Sequence, residues 1–218
     1  MPKNFDLLVF DWDGTLMDSA AAIVSSIQSA CRDMDLPVPS AAEASHIIGL
    51  GLNEAISALL PQLAMRDYPQ FISCYRRHFL SSTQETPLFD EAAEAIPALN
   101  GAGFLLAIAT GKGRRGLDRV LQSTALAPYF HATRCADECH SKPHPAMLRE
   151  IMETLGAAPE RTLMIGDTSH DLRMAANAGV ACVAACYGAH PREHLLCFTS
   201  LAYADDFPSL YRWLRQNA

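Results

Sequence analysis

Leu7-Leu8-Val9-Phe10-Asp11-Trp12-Asp13-Gly14-Thr15-Leu16 decides the fold that we predict for this chain. An apolar run that ends in acids and a glycine predicts a buried strand of a parallel sheet, with Asp11 at its carboxyl end. Open α/β sheets bind their ligands at that edge. Gly14 predicts a turn that aims Asp13 separately. The two acids suit a covalent nucleophile and a proton shuttle, and the alternative is an ordinary strand-ending turn.

Helical patterns separate further apolar, strand-like runs, which lie at 104–109, 130–135, 162–165 and 180–184. Alternating strands and helices predict an α/β fold with a doubly wound parallel sheet. Between the first two strands, helical patterns at 19–34 and 41–83 exceed what one crossover helix requires. We therefore expect a small helical domain at 17–86, inserted into a sheet domain formed by 1–16 and 87–218.

Composition excludes several classes of function. The 218 residues carry a net charge of -7 with scattered cations, so we expect no nucleic-acid partner. No apolar run reaches transmembrane length, and the start of the chain lacks signal-peptide features, so we expect no membrane association. Seven cysteines without a compact disulfide framework favour a reducing cytoplasm. The sequence leaves open a monomer or a homodimer.

Two polar clusters later in the chain suit an anion. Thr110 and Gly111 follow the second strand, where a hydroxyl and backbone amides form a phosphoryl site, unless Thr110 only caps the next helix. Lys142 lies in Ser141-Lys142-Pro143-His144-Pro145, which opens a helix that ends near Gly156. A cation is unfavourable at a helix N-terminus. Lys142 is therefore expected to neutralise phosphate and a carboxylate, and the alternative is a solvated surface lysine.

A third cluster suits a cation. Asp167 and Asp171 follow the strand run at 162–165. Together with Asp11 they provide hard oxygen ligands for an octahedral Mg²⁺ that keeps several waters. Asp171 has the alternative of being a helix N-cap, and it can serve in both ways. The sequence therefore predicts metal-assisted phosphoryl chemistry at one edge of the sheet.

The chain resembles the haloacid dehalogenase-like hydrolase superfamily. Its four motifs are matched, in order, by the segments Asp11-Trp12-Asp13-Gly14-Thr15-Leu16, Thr110-Gly111, Lys142-Pro143 and Gly166-Asp167-Thr168-Ser169-His170-Asp171. The resemblance implies that Asp11 is a nucleophile that forms an aspartyl-phosphate and that Asp13 is the acid and base. It further implies that phosphate is bound by Thr110, Gly111 and Lys142. Mg²⁺ would be held by Asp11, the Asp13 carbonyl, Asp167 and Asp171.

The long helical insertion is similar to the alpha-helical cap of the phosphoglycolate phosphatase and β-phosphoglucomutase-like group, on a Rossmann-like core. The resemblance thus implies a phosphatase acting on a small phosphorylated metabolite of the phosphoglycolate kind. A sugar phosphomutase is the alternative enzyme, and a non-catalytic scaffold with the same fold is the alternative of another class. The roles of Lys112 and of the cap loop Gly49-Leu50-Gly51-Leu52-Asn53 stay open.

Overall fold

A six-stranded, fully parallel sheet forms the centre of the computed structural model, which describes residues 3–81 and 86–218. Its strands are β1 (Leu7–Phe10), β2 (Leu105–Thr110), β3 (Ala132–Cys135), β4 (Thr162–Gly166), β5 (Ala181–Ala185) and β6 (Tyr203–Ala204). The order is β3-β2-β1-β4-β5-β6. The predicted α/β fold with a doubly wound parallel sheet is confirmed. Only β6 was missed, because two residues are too few to show a strand pattern.

The helices are α1 (Ala20–Asp33), α2 (Ala41–His46), α3 (Leu52–Leu59), α4 (Tyr68–Ser81), α5 (Ala92–Gly101), α6 (Arg114–Thr124), α7 (Ala146–Leu155), α8 (Ser169–Ala178), α9 (Arg192–Leu195) and α10 (Phe207–Asn217). Short 3₁₀ turns occur at Met65–Asp67, Ala127–Tyr129 and Pro159–Arg161. In the described ranges, no helix has both the length and the apolarity that crossing a bilayer would demand.

Strand β1 is central, and its side chains are buried on both faces of the sheet. Leu8 and Phe10 pack into one hydrophobic cluster, whereas Leu7 and Val9 pack into another on the opposite face. All four side chains are inaccessible to solvent. The alternation follows from the two-residue period of a strand. Burial on both faces fixes the strand, and therefore the position of the Asp11 backbone that follows it.

Helices α1 to α4 lie between β1 and β2 in the chain and share a hydrophobic cluster of their own. The helical pattern predicted at 41–83 is divided into three helices over residues 41–81, and its last two residues lie outside the described ranges. Gly49 has a φ of +93°, which a residue with a side chain rarely adopts, so the chain turns there before α3 begins. A capping box between Ser40 and Glu43 starts α2.

Two predicted helix starts need correction. Helix α7 begins at Ala146 with Pro145 at its N-cap, so Lys142 lies before the helix and not in its first turn. Helix α8 begins at Ser169, and its N-cap is Thr168 and not Asp171. Helix boundaries depend on which backbone groups find partners, and here the Asp171 side chain reaches back to the Thr168 amide to complete a capping box.

Candidate active site

Asp11 and Lys142 form a buried ion pair at the carboxyl edge of the sheet. Lys142 Nζ lies 2.8 Å from Asp11 Oδ1 and 2.6 Å from Asp171 Oδ1. All three side chains are shielded from solvent. Asp11 Oδ2 has no donor within the described part of the chain. Lys142 therefore compensates part of the buried negative charge and leaves one Asp11 oxygen without a partner.

Asp167 joins these two acids to form a carboxylate cluster. Asp11, Asp167 and Asp171 each offer one oxygen, and the three oxygens lie within 4.8 Å of one another. The Thr15 hydroxyl donates to Asp167 Oδ1 at 2.7 Å, and the Ala189 amide donates to Oδ2 at 2.7 Å. Clustered, hydrogen-bonded carboxylates are the ligands that hard divalent cations prefer. The donor set and the orphaned Asp11 oxygens therefore fit a metal of the Mg²⁺ type.

Asp171 has two functions in the fold. Its Oδ2 accepts from the Thr168 amide at 3.1 Å and from the Thr168 hydroxyl at 2.7 Å. Its Oδ1 faces Lys142. The N-cap interpretation of Asp171 is therefore wrong, because Asp171 is the third residue of α8 and completes the capping box from that position. Its role as a metal ligand stays a prediction.

The pKa values in the cluster reflect an excess of buried negative charge. Burial raises the pKa of Asp11 to about 7, with Lys142 opposing the shift and Asp171 adding to it. Burial, followed by the charges of Asp11 and Asp171, raises the pKa of Asp167 well above its usual range. Burial alone would lower the pKa of Lys142, but the two carboxylates beside it outweigh burial and raise it. The site thus contains three buried acids and one ammonium, and a bound cation would let all three acids ionise together.

Asp13 lies apart from the cluster, although it is only two residues from Asp11. Its Oδ1 accepts from the Ser19 hydroxyl at 2.5 Å, and its Oδ2 lies 2.9 Å from Lys112 Nζ. Gly14 has a φ of +81°, so the backbone turns immediately after Asp13. The Asp13 side chain is not in the carboxylate cluster. Any role in metal binding would therefore use its backbone carbonyl and leave the carboxylate available for proton transfer.

Thr110 ends β2 and is completely buried. Its hydroxyl accepts from the Lys112 amide at 3.2 Å. The following helix, α6, begins with Gly113 at its N-cap, and the Asp137 carboxylate accepts from the Arg114 amide at 2.9 Å. Thr110 is therefore not the cap of this helix, which leaves it as part of the polar loop beside Asp11.

The cap loop, residues 49–53, covers the loop that contains Gly111. A Cβ on Gly111 would lie 2.5 Å from the Gly49 carbonyl oxygen and 2.6 Å from the Leu50 carbonyl oxygen. The Gly51 amide also donates to the Ser141 hydroxyl at 2.7 Å, next to Lys142. Gly111 is thus required for close approach of the two backbones. The cap loop contacts two of the predicted phosphate-binding segments.

A cavity of about 340 Å³ opens between the helices α1 to α4 and the sheet edge. Its lining includes Asp11, Asp13, Thr110, Gly111 and Lys112. The volume is typical of a small-molecule site. The structure therefore brings Asp11, Asp13, Thr110 and Gly111 together in the lining of one cavity. Lys142, Asp167 and Asp171 are not part of that lining, and they join the site through Asp11.

The family model described as haloacid dehalogenase-like hydrolase matches residues 8–185. The chain belongs to the haloacid dehalogenase-like hydrolase family. The resemblance stated from the four motifs is confirmed, and the chain is a hydrolase of this family. The matched range runs from β1 to β5 and includes every predicted site residue.

Two relatives and a solved structure are similar to this chain over most of their length. The chain is 34% identical over 208 residues to "Probable phosphatase IndB" of Dickeya dadantii, covering 92% of this chain and 90% of that one. It is 29% identical over 212 residues to a 5'-nucleotidase of Pseudomonas aeruginosa, covering 96% of both. A crystal structure of a hydrolase from Pseudomonas syringae has the same fold, with a TM-score of 0.89, 20% identity, and coverage of 98% of this chain and 99% of that one.

Three residues that serve this haloacid dehalogenase-like site were missed by sequence reasoning. Thr15 and the Ala189 amide hold Asp167, and Ser19 holds Asp13. Thr15 and Ser19 lie close to the first motif, so their hydroxyls gave a local signal. Ser19 occupies the N-cap position of α1, but its hydroxyl makes no capping hydrogen bond and donates to Asp13 instead. Ala189 contributes only its backbone, which no residue type reveals.

Proposed function

We propose that this chain is a Mg²⁺-dependent phosphomonoesterase that hydrolyses a small phosphorylated metabolite through an aspartyl-phosphate on Asp11. The observation that carries the proposal is the separation of Asp11 from Asp13. Asp11 faces Lys142 and the carboxylate cluster, whereas Asp13 faces Ser19 and Lys112. Two acids on one loop with different partners suit a nucleophile and a proton shuttle. Phosphoglycolate is the reference substrate, since the helical insertion resembles the cap of phosphoglycolate phosphatases.

In the first step, an Asp11 carboxylate oxygen attacks phosphorus and the bond from phosphorus to the leaving oxygen breaks. The bonding electrons go to that oxygen, which takes a proton from Asp13, and an alcohol leaves. In the second step, Asp13 takes a proton from water as the water oxygen attacks phosphorus. The bond to Asp11 then breaks, inorganic phosphate is released and both acids are regenerated. The sum is one ester and one water converted to one alcohol and one phosphate.

The other side chains are proposed to bind the phosphoryl group. Thr110 and the Gly111 amide would donate hydrogen bonds to its oxygens, and Lys142 would offset its charge and that of Asp11. Phosphoryl transfer depends mainly on positioning and charge neutralisation, which a buried ammonium beside the nucleophile supports. Asp11, Asp167, the Asp13 carbonyl and Asp171, directly or through water, would hold Mg²⁺. When bound, the metal supplies positive charge to the phosphoryl oxygens.

We assign residues 17–86 to a cap domain and residues 1–16 and 87–218 to the core. The two connecting segments pair with each other, since Met17 and Leu88 form an antiparallel bridge and the Asp18 amide donates to the Pro87 carbonyl at 2.9 Å. Together with the separate hydrophobic cluster of α1 to α4, this pairing supports boundaries near 17 and 87. A cap over the site would exclude water from the phosphoryl group.

The test is phosphate release from phosphoglycolate, glucose 6-phosphate, a nucleoside monophosphate and pyrophosphate, with and without Mg²⁺. We expect hydrolysis that requires Mg²⁺ and falls by about a thousandfold or more in Asp11→Asn, since no other group here can form the intermediate. Asp13→Asn is expected to lose about a hundredfold or more. Asp90→Asn, an exposed aspartate outside the cavity, is the matched control.

A second readout tests the intermediate itself. Rapid acid quenching during turnover should yield protein heavier by one phosphoryl group, and the modified peptide should contain Asp11. Full activity of Asp11→Asn would contradict the proposal. Conversion of a sugar 1-phosphate without net phosphate release would point to a phosphomutase. Failure of the unmodified protein to turn over any compound would favour a scaffold.

A further inference from the structure

The walls of the cavity differ sharply from its floor. The floor is the polar site at Asp11 and Thr110, but the walls extend among the cap helices and are made largely of apolar side chains, which include Ile23, Ile27, Ile56, Leu59, Phe71 and Phe79. Several of these belong to the hydrophobic cluster of the cap. The cavity is therefore an opening into an apolar interior, continuous with the reaction centre.

Two aromatic residues lie on the Asp13 side of this cavity. Lys112 Nζ, which pairs with Asp13, is 5.1 Å from the centroid of the Phe79 ring. The Phe79 ring stacks on Tyr75, with centroids 5.9 Å apart. Tyr75 lines the same cavity as Asp13 and Phe79. A series of contacts, from Asp13 to Lys112, then to Phe79 and then to Tyr75, thus leads from the proton donor into the cap.

The position of Asp13 indicates which part of the substrate contacts these aromatic rings. Asp13 is proposed to protonate the leaving oxygen, so the group attached to that oxygen must extend past Asp13 into the cavity. A glycolate carboxylate or a ring of sugar hydroxyls would need buried polar partners there, and burying such groups unpaired costs a few kcal/mol each. Lys112 is already paired with Asp13, and the arginines that line the cavity, Arg76, Arg115 and Arg119, are exposed.

We infer that the substrate is a phosphomonoester of an apolar alcohol, whose alkyl or aryl group binds between Phe79 and the apolar walls of the cap. The inference rests on the proposed phosphatase function and narrows its substrate class. The inferred substrate differs from a phosphoglycolate-like ester in the alcohol that leaves, whereas the hydrolysis reaction is the same. A polar phosphate ester would fill the same floor but leave the apolar walls without contacts.

A series of n-alkyl phosphates from ethyl to octyl tests the inference, because lengthening the chain adds apolar area with little change in leaving-group chemistry. Each buried methylene should raise kcat/KM by about fourfold until the cavity is filled. The matching n-alkylphosphonates cannot be hydrolysed at this bond. Their binding to the unmodified protein, followed by calorimetry in the presence of Mg²⁺, should tighten with chain length in the same way.

Phe79→Ala is the informative variant. It should lower kcat/KM for octyl phosphate about tenfold more than kcat/KM for ethyl phosphate, since the longer chain has more apolar area to lose contacts from. The kcat/KM of Phe79→Leu for octyl phosphate should lie between the values of the unmodified protein and of Phe79→Ala. Met65→Ala removes an apolar side chain that is 81% exposed on the same cap and does not line the cavity, so it should leave the chain-length dependence unchanged.

The outcomes separate this inference from the proposed function. The inference would be overturned if neither kcat/KM nor phosphonate binding changed with chain length. Rapid, Asp11-dependent hydrolysis of phosphoglycolate, a sugar phosphate or a nucleotide in the same protein would still support the proposed phosphatase function. Phosphonate binding that tightens with length, without turnover of any ester, would support the apolar subsite and contradict the phosphatase. An unchanged octyl-to-ethyl ratio in Phe79→Ala would contradict the assigned position of the chain.

Discussion

Lys112 Nζ lies 2.9 Å from Asp13 Oδ2, and both side chains are about nine-tenths buried. Ser19 holds the other oxygen of the same carboxylate. The proposed proton shuttle is therefore fixed by two contacts, from α1 on one side and from the loop after β2 on the other. Lys112, whose role the sequence left open, has a structural partner in the site.

Replacing Lys112 by glutamine should lower kcat by about tenfold, because proton transfer depends on an oriented carboxylate and part of that orientation is lost. Thermal unfolding should change little. Steady-state kinetics on the best substrate of the panel would measure the effect. Lys3→Gln is the matched control, since Lys3 lies before β1, away from the carboxyl edge of the sheet. Equal kcat values for Lys112→Gln and the unmodified protein would remove Lys112 from the mechanism.

Replacing Lys142 by methionine should destabilise the metal-free protein by about 3 kcal/mol or more, because the loss of a buried partner leaves a charge uncompensated. Among the described residues Lys142 is the only buried lysine or arginine. Mg²⁺ should recover part of this loss and raise the Tm of the variant more than that of the unmodified protein. Chemical denaturation measures the loss of stability, and thermal unfolding with and without Mg²⁺ measures the change in Tm. An Mg²⁺ effect that is the same in both proteins would contradict the shared cluster.

Replacing Gly111 by alanine should reduce activity at least about tenfold and weaken the contact of the cap loop with the core. The added Cβ would lie too close to the Gly49 and Leu50 carbonyl oxygens, which are backbone and cannot simply rotate away. Gly101→Ala is the matched control, because its Cβ would meet nothing within 4 Å. Kinetics together with limited proteolysis of the cap would measure the effect. Identical behaviour of the two alanine variants would show that the loops need not approach this closely.

The pH dependence of stability should contain a contribution from His190. Burial and the neighbouring His170 lower the pKa of His190 to about 4, while Asp171 partly opposes the shift. A lowered pKa means that the unfolded state binds the proton first, so stability is complete above about pH 6.5 and is lost as pH falls toward 4. The loss at pH 5 should be about 2 kcal/mol.

His190→Gln isolates that contribution. Each protein is compared with itself at pH 7.5 and pH 5 by urea unfolding, so the contributions of Asp11 and Asp167 are common to both proteins. The variant should lose less stability on acidification than the unmodified protein. Equal losses would show that His190 titrates normally in the folded protein.

The sequence predicted the elements that depend on local pattern. The apolar run 7–10, buried on both faces, gave a central strand, and the runs at 104–109 and 162–165 gave its two neighbours. Parallel strands end at one edge, so residues that follow different strands could be predicted to meet there. Helix α7 likewise ends where Gly156 predicts, with that glycine in the left-handed conformation.

Tertiary structure alone decided the partners of each side chain. The contacts of Asp13 with Lys112, of Asp167 with the Ala189 amide, and of Gly111 with the cap loop join positions far apart in the chain. No periodicity records such contacts, because they arise from how whole elements pack. The same holds for the cavity: Phe79 looks like an ordinary core residue on α4, and only packing directs it toward the reaction centre.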